Sequence, residues 1–347
     1  MGVRTVLVCE AQVPFVTGGA EAHVRQLVDA LRARGYEAEL VSVPFTWNPK
    51  EEILAHAAAW RLLNLNESNG RPIDRLIATR FPTYFARHDN KVAWLIHQHR
   101  AAYELCGTVY SDFGHVESDV GLREKLIRLD TEMLGECRRI FANARNTAAR
   151  LTRYNGLPAE ALYHPPRLAP RLQSGVYGDY VLSVGRLETV KRVDLIAAAM
   201  TAVPEPVRLM IAGDGTQRAN LERLCEERGL LHRVTFLGTV GDDALVELYR
   251  DALAVVYPPF DEDFGYVTLE GFLARKPVIT CRDSGGPMEF VADGENGFVC
   301  EPSAESIGAA LAALAADRGR AAALGAAGHE VASRITWDGV IEKLVEA

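Results

Sequence analysis

Short β-branched runs alternate with helix-period segments through the second half of this chain, and that alternation constrains the fold more than any other feature. The runs are YVLSV (180–184), VRLMIA (207–212), VTFLG (234–238), ALAVVY (252–257) and PVIT (277–280). Between them Leu195, Ile196, Ala199 and Met200, then Leu221, Leu224 and Cys225, recur at helical spacing. Strands alternating with helices build βαβ units around a parallel sheet covered on both faces. The first half repeats the theme. TVLVC (5–9) predicts a strand, and residues 20–34 a helix with Val24, Leu27, Val28 and Leu31 on one face and Gly35 as its C-terminal cap. Further strands are expected at 38–43, 74–78, 92–96 and 139–143.

The chain has 347 residues, beyond the roughly 250–300 at which a single core stops growing. The expected fold class is therefore α/β, with two doubly wound halves. The Pro-rich stretch at 163–179 has no regular period and marks the join. Ligands in such folds bind outside the carboxyl ends of the strands. The last segment, ITWDGVIEKLVEA, reads as an amphipathic helix whose Trp337, Ile341 and Leu344 can dock on either half.

Composition removes several functional classes. Charge-free stretches such as Ser306 to Ala316 are too short to span a bilayer, and Glu10 interrupts the apolar N-terminal run, so neither a membrane span nor a signal peptide is expected. Up to Pro170 there are 21 Lys and Arg against 19 Asp and Glu; the remainder has 17 against 27. No basic block is present to track a nucleic-acid backbone. The six cysteines show no CxxC spacing, which suits a reduced, cytoplasmic chain without structural metal.

The glycine clusters TGGAEAHV, VGRLETVKR, AGDGTQRAN and DSGGPMEF match neither GxGxxG nor GxxxxGK[ST], so a nicotinamide dehydrogenase and a P-loop NTPase lose their warrant. Gly18 and Gly19 lie between a predicted strand and a helix N-terminus; they are either a bare turn or a place where a ligand approaches backbone amides. Arg186 and Lys191 follow the strand YVLSV at the start of the next helix. That position suits a diphosphate, the alternatives being a solvated face or pairing with Glu188. The segment PPFDEDFGYVTLE follows another strand. Glu262 is placed on its loop, Gly265 at a helix start, and Glu270 about one turn inside. Spacing alone carries little, since Glu124 and Glu132 share it. The triplet 261–263 also fits a D-x-D metal pattern, although Arg186 and Lys191 already offer charge for a phosphate.

Seven segments then occur in order: TGGAE, VGRL…K, IAGDG, FLG, PPFDEDFGYVTLE, the GG and E of SGGPMEF, and DGENGFVCEP. Together they resemble the retaining glycosyltransferases of family 4, over essentially the whole chain and most specifically between residues 180 and 302. The resemblance implies the GT-B fold, two facing Rossmann-like doubly wound domains with a C-terminal crossover helix. It places an acceptor-side domain at 1–168 with the helix 333–347, and a donor-binding domain at 169–332.

It also implies transfer of a sugar from a nucleoside diphosphate sugar, UDP slightly preferred over GDP, with retention and with no metal or other cofactor. Arg186 and Lys191 would neutralise the diphosphate, and Glu262 would hold donor-sugar hydroxyls. Phe264, Gly265, Tyr266 and Val267 would offer backbone amides, and Glu270 would hold the ribose. Gly213 belongs to the IAGDG donor motif, Gly238 and Val240 border the base, and Gly18 and Gly19 line the cleft from the first domain. His97 matches a histidine set beside the transferred sugar, with His99 as second candidate. The acceptor implied is a glycan or lipid-linked sugar of surface polysaccharide or glycoconjugate synthesis, with peripheral membrane contact through the first domain. Three other readings share the fold: a nucleotide-sugar epimerase, a glycoside phosphorylase and a non-catalytic nucleotide-binding adaptor.

Overall fold

The computed structural model describes residues 2–15 and 18–346. The chain divides into two units, Met1–His164 with Thr336–Ala347, and Pro165–Ile335.

In the first unit the parallel sheet comprises β1 (Thr5–Gln12), β2 (Glu37–Pro44), β5 (Arg75–Ala78), β6 (Lys91–Leu95), β7 (Arg139–Ala142) and β8 (Glu160–Ala161), while β3 (Glu67–Ser68) and β4 (Arg71–Pro72) form a separate hairpin. The order is β2-β1-β5-β6-β7-β8. Helices α1 (Gly19–Arg32), α2 (Ile53–Leu62), α3 (Glu117–Gly135) and α4 (Arg145–Asn155) connect and cover the strands. Val24, Leu27, Val28 and Leu31 of α1 are all buried against one face, as their spacing predicts.

In the second unit the strands are β9 (Tyr180–Val184), β10 (Arg208–Ala212), β11 (Val234–Gly238), β12 (Ala254–Val256), β13 (Val278–Cys281) and β14 (Gly297–Cys300). The sheet runs β11-β10-β9-β12-β13-β14. Numbered within the unit this is 3-2-1-4-5-6, the doubly wound order of dinucleotide-binding folds, and it reverses between β9 and β12. Helices α5 (Val193–Ala199), α6 (Arg218–Glu227), α7 (Asp242–Asp251), α8 (Tyr266–Leu273), α9 (Ala304–Ala316) and α10 (Arg318–Ala332) complete it. Two edge strands, β8 and β14, were not among the sequence expectations. Both are short, and β14 lies inside a glycine- and asparagine-bearing segment that reads as loop. Cys9, Cys281 and Cys300 are buried strand residues and all six cysteines are free.

The last helix, α11 (Trp337–Glu346), belongs to the first unit. Val340, Ile341, Leu344 and Val345 are buried in its core, and the Trp337 ring meets the Trp94 ring edge-on at 6.1 Å. A buried arginine of β5, Arg75, donates from Nη2 to the Val345 carbonyl at 2.8 Å, supplying a cation at the helix C-terminus. Leu344 is fully buried, so Leu344→Ala is expected to cost about 2–3 kcal/mol. Urea unfolding followed by tryptophan fluorescence checks this, because Trp60, Trp94 and Trp337 all lie in this unit. No helix among the described residues is long and apolar enough to cross a membrane.

Candidate active site

The carboxyl ends of β9, β10 and β11 meet backbone to backbone. Gly185 N donates to the Ala212 carbonyl at 3.0 Å and Gly213 N to the Gly238 carbonyl at 2.8 Å. Gly213 has φ 138°, and a Cβ there would lie 1.9 Å from the Gly185 carbonyl oxygen, so no other residue fits. The structure therefore sets Gly213 and Gly238 into one closely packed rim, with half-buried Val240 just beyond β11.

Arg186 stands on this rim, one residue past Gly185. It is exposed, and among the described residues no carboxylate pairs with it. The alternative of a pair with Glu188 does not hold: the Glu188 carboxylate accepts instead from the Thr216 hydroxyl at 2.7 Å.

Lys191 and Glu262, far apart in sequence, form one ion pair. Lys191 Nζ is 2.5 Å from Glu262 Oε2, and it also donates to the Tyr257 hydroxyl at 3.2 Å. Both charged side chains are largely buried, at 14% and 17% exposure, so their attraction is only partly screened. The next residue, Arg192, has a different task. It adopts a left-handed φ of 51° and reaches a different set of partners. It makes a bidentate pair with Asp283 (2.7 and 2.8 Å) and donates to the Pro258 and Pro259 carbonyls.

The 258–265 loop is pressed onto the turn at 284–287. Glu262 N donates to the Ser284 carbonyl at 2.9 Å, and Gly286 N to the Glu262 carbonyl at 2.8 Å. Gly265 precedes α8 at φ 82°, where a Cβ would come within 2.8 Å of Pro287, so the helix start depends on glycine. Phe264 is buried and packs edge-on against Tyr266 and Phe290. The first turn of a helix leaves amides without intrahelical acceptors and carries partial positive charge; here that turn holds Tyr266, Val267 and Thr268. The Thr268 hydroxyl oxygen is buried with no hydrogen-bond partner among the described residues.

Glu270 lies one turn inside α8 and is half-buried. The Tyr249 hydroxyl, from fully buried Tyr249 on α7, donates to Glu270 Oε2 at 2.7 Å. Burial pushes the Glu270 carboxyl above the ordinary glutamate range. The Tyr249 hydrogen bond and Arg167 oppose that shift, while Asp242 adds to it. Arg167 itself pairs with Asp242. Among the described residues no group of three His, Cys, Asp or Glu side chains gathers as a metal site.

The remaining predicted residues lie in the first unit. Gly18 caps α1 in extended backbone and Gly19 opens the helix; Thr17 of the same motif lies outside the described residues. His97 follows β6, half-buried, with Nδ1 2.7 Å from the Gln98 carbonyl oxygen, so that nitrogen carries the proton. His99 packs between the rings of Phe81 and Phe113, each centroid 5.8 Å away. Burial pulls its pKa down to about 4, keeping it neutral at physiological pH.

Four groups at the second unit's rim escaped sequence reasoning: Tyr257, Tyr249, Thr268 and the Arg192–Asp283 pair. Tyr257 carried a signal, since it ends the apolar run ahead of the DED loop. Tyr249 carried none, being one apolar helix position among several.

Residues 172–331 match the family model of glycosyl transferases group 1. An uncharacterized glycosyltransferase of Methanocaldococcus jannaschii is 27% identical over 96% of this chain and 94% of that protein. A D-inositol 3-phosphate glycosyltransferase of Rhodococcus jostii is 29% identical over 63% of this chain, and the match spans 54% of that relative's length. Among solved structures, Anabaena HepE in complex with UDP and glucose superposes with a TM-score of 0.72 at 16% identity, covering 99% of each chain. Sucrose-phosphate synthase from Thermosynechococcus elongatus does so at 0.74 and 20%, covering 99% of this chain and 98% of that one. Six-stranded doubly wound sheets in both units, a cation-bearing strand rim in the second and the match of residues 172–331 to the glycosyl transferases group 1 model agree: the chain is a glycosyltransferase of the GT-B fold.

Proposed function

We propose that the chain transfers a sugar from a nucleoside diphosphate sugar to a glycan or lipid-linked acceptor, with retention of anomeric configuration and without a metal ion, in surface polysaccharide or glycoconjugate synthesis. The observation that carries the reading is Arg186: an exposed guanidinium at the carboxyl end of β9 with no ion-pair partner among the described residues, in the same unit as the Lys191–Glu262 pair and the α8 N-terminus. A guanidinium at a strand end and the free amides of a helix N-terminus are both suited to a diphosphate.

In this reading the bond between the sugar C1 and the diphosphate oxygen breaks, and Arg186 and Lys191 stabilise the negative charge that develops on that oxygen. The acceptor hydroxyl oxygen bonds C1 from the same face, and its proton passes to the departing phosphate oxygen. Glu262, already oriented by Lys191, accepts from hydroxyls of the donor sugar. Amides of the Phe264–Val267 segment serve the phosphate, and Glu270 accepts from the ribose. Gly213, Gly238 and Val240 form the rim for the base. His97 is the first-unit residue assigned to the transferred sugar, with Gly18 and Gly19 on the same side. His99, packed between Phe81 and Phe113, stays the second candidate.

UDP is preferred as the nucleotide, in keeping with the UDP carried by the HepE complex. A thermal-shift panel of UDP, GDP, ADP and their sugars should show a clear upward shift for one nucleotide, growing with concentration as mass action requires. No shift with any of them overturns the reading. Product anomers read by NMR test retention, and inverted product rejects it. Turnover is expected to survive excess EDTA, and its loss would instead favour the D-x-D metal pattern at 261–263.

A further inference from the structure

Glu270 is held by a partner that no motif contains. Tyr249 sits on α7, fully buried, and donates its hydroxyl to Glu270 Oε2 at 2.7 Å. An ionised carboxylate only accepts, through two oxygens. With Oε2 tied to Tyr249, the carboxylate plane is set, and Oε1 has no hydrogen-bond partner among the described residues. We infer that Tyr249 is the positioning residue for nucleotide recognition: its hydroxyl fixes Glu270 so that the carboxylate takes the two hydroxyls of a ribose and disfavours a 2′-deoxyribose. This rests on the reading of Glu270 as the ribose-binding carboxylate.

The surroundings explain why the anchor matters. Glu270 is faced by Arg167 from the segment before β9 and by Asp242 and Tyr249 from α7. Tyr257 after β12 and Tyr266 on its own helix also lie within electrostatic reach. Arg167 pairs with Asp242, whose negative charge offsets part of its pull on Glu270. Burial raises the Glu270 pKa, and the Tyr249 hydrogen bond lowers it toward the ordinary value. A protonated Glu270 would lose acceptor capacity. Binding of a ribonucleotide therefore falls as pH drops through the Glu270 pKa, and without the Tyr249 hydroxyl that fall begins at a higher pH.

The experiment is calorimetry on the full chain with two probe pairs, UDP against 2′-deoxy-UDP and GDP against 2′-deoxy-GDP. For the pair that binds, the wild type is expected to prefer the ribonucleotide about tenfold, the effect of one hydrogen bond to a charged group. Tyr249→Phe should compress that ratio to about threefold or less, weaken the 2′-deoxynucleotide, which keeps only its 3′ hydroxyl, less than the ribonucleotide, and move the acid limb of ribonucleotide binding upward. Glu270→Gln should bring the ratio close to one. If Tyr249→Phe keeps the wild-type ratio, or loses both affinities equally, Tyr249 is only packing and the inference falls. If Glu270→Gln keeps the ratio, the assignment of Glu270 is what fails. Failure of every probe to bind the wild type overturns both.

Discussion

Arg186→Ala is expected to lower kcat/KM for the nucleotide-sugar donor by about two to three orders of magnitude, the usual cost of deleting one group that stabilises developing negative charge. The thermal transition should stay in place, because the side chain is exposed and makes no ion pair among the described residues. That combination is specific. A residue with a packing role would move stability and activity together, and a solvated surface arginine would move neither. Arg186→Lys should recover part of the loss, since an ammonium supplies charge without the planar fork that matches a phosphate. Steady-state kinetics with the donor picked out by the thermal-shift panel, beside a melting curve, reads both quantities. Wild-type turnover in Arg186→Ala would remove the observation on which the proposed reaction rests.

Arg192→Met is expected to act the opposite way, destabilising the second unit by about 3–5 kcal/mol. The guanidinium is buried and satisfies Asp283 and two proline carbonyls, so its removal leaves a carboxylate and two carbonyls without donors. Asp283 keeps partial solvent access, with 33% of its side chain exposed, which places the cost toward the lower end of that range. Methionine retains much of the apolar volume, so the loss reports the polar cross-tie rather than a cavity. Lys191→Met, one residue away, also strands the largely buried Glu262 carboxylate and so costs stability, but it is expected in addition to collapse turnover. Denaturant unfolding of both variants beside their kinetics separates the two cations. Retained turnover in folded Lys191→Met would refute the division of labour.

That division marks where sequence reasoning stops. Lys191 and Arg192 are adjacent and chemically alike, so nothing in their order tells the cation that pairs with Glu262 from the one tied to Asp283. The left-handed backbone at Arg192 decides it, and that conformation is sustained by Asp283, 91 residues further on. His97 and His99 pose the same problem two residues apart. Only the tertiary structure shows that the His99 ring packs in an aromatic cluster with Phe81 and Phe113. The cap of α8 was legible, by contrast, because a glycine between a loop and an apolar helix is a local signal. Its necessity was not: Pro287, which would meet a Cβ at Gly265, lies across the turn.

By itself the sequence determined the α/β class, the strand–helix alternation of both halves, and the placing of Arg186, Lys191, Glu262 and Glu270 around strand ends. All of these follow from local periodicity, chain punctuation and motif order, which backbone sterics and burial write into neighbouring residues. The tertiary structure alone decided that Lys191 and Glu262 share one ion pair across 71 residues, and that Tyr249 holds Glu270. These are contacts between segments distant along the chain. They depend on sheet order and on which helix face turns inward, and both are settled only when the whole core is buried together.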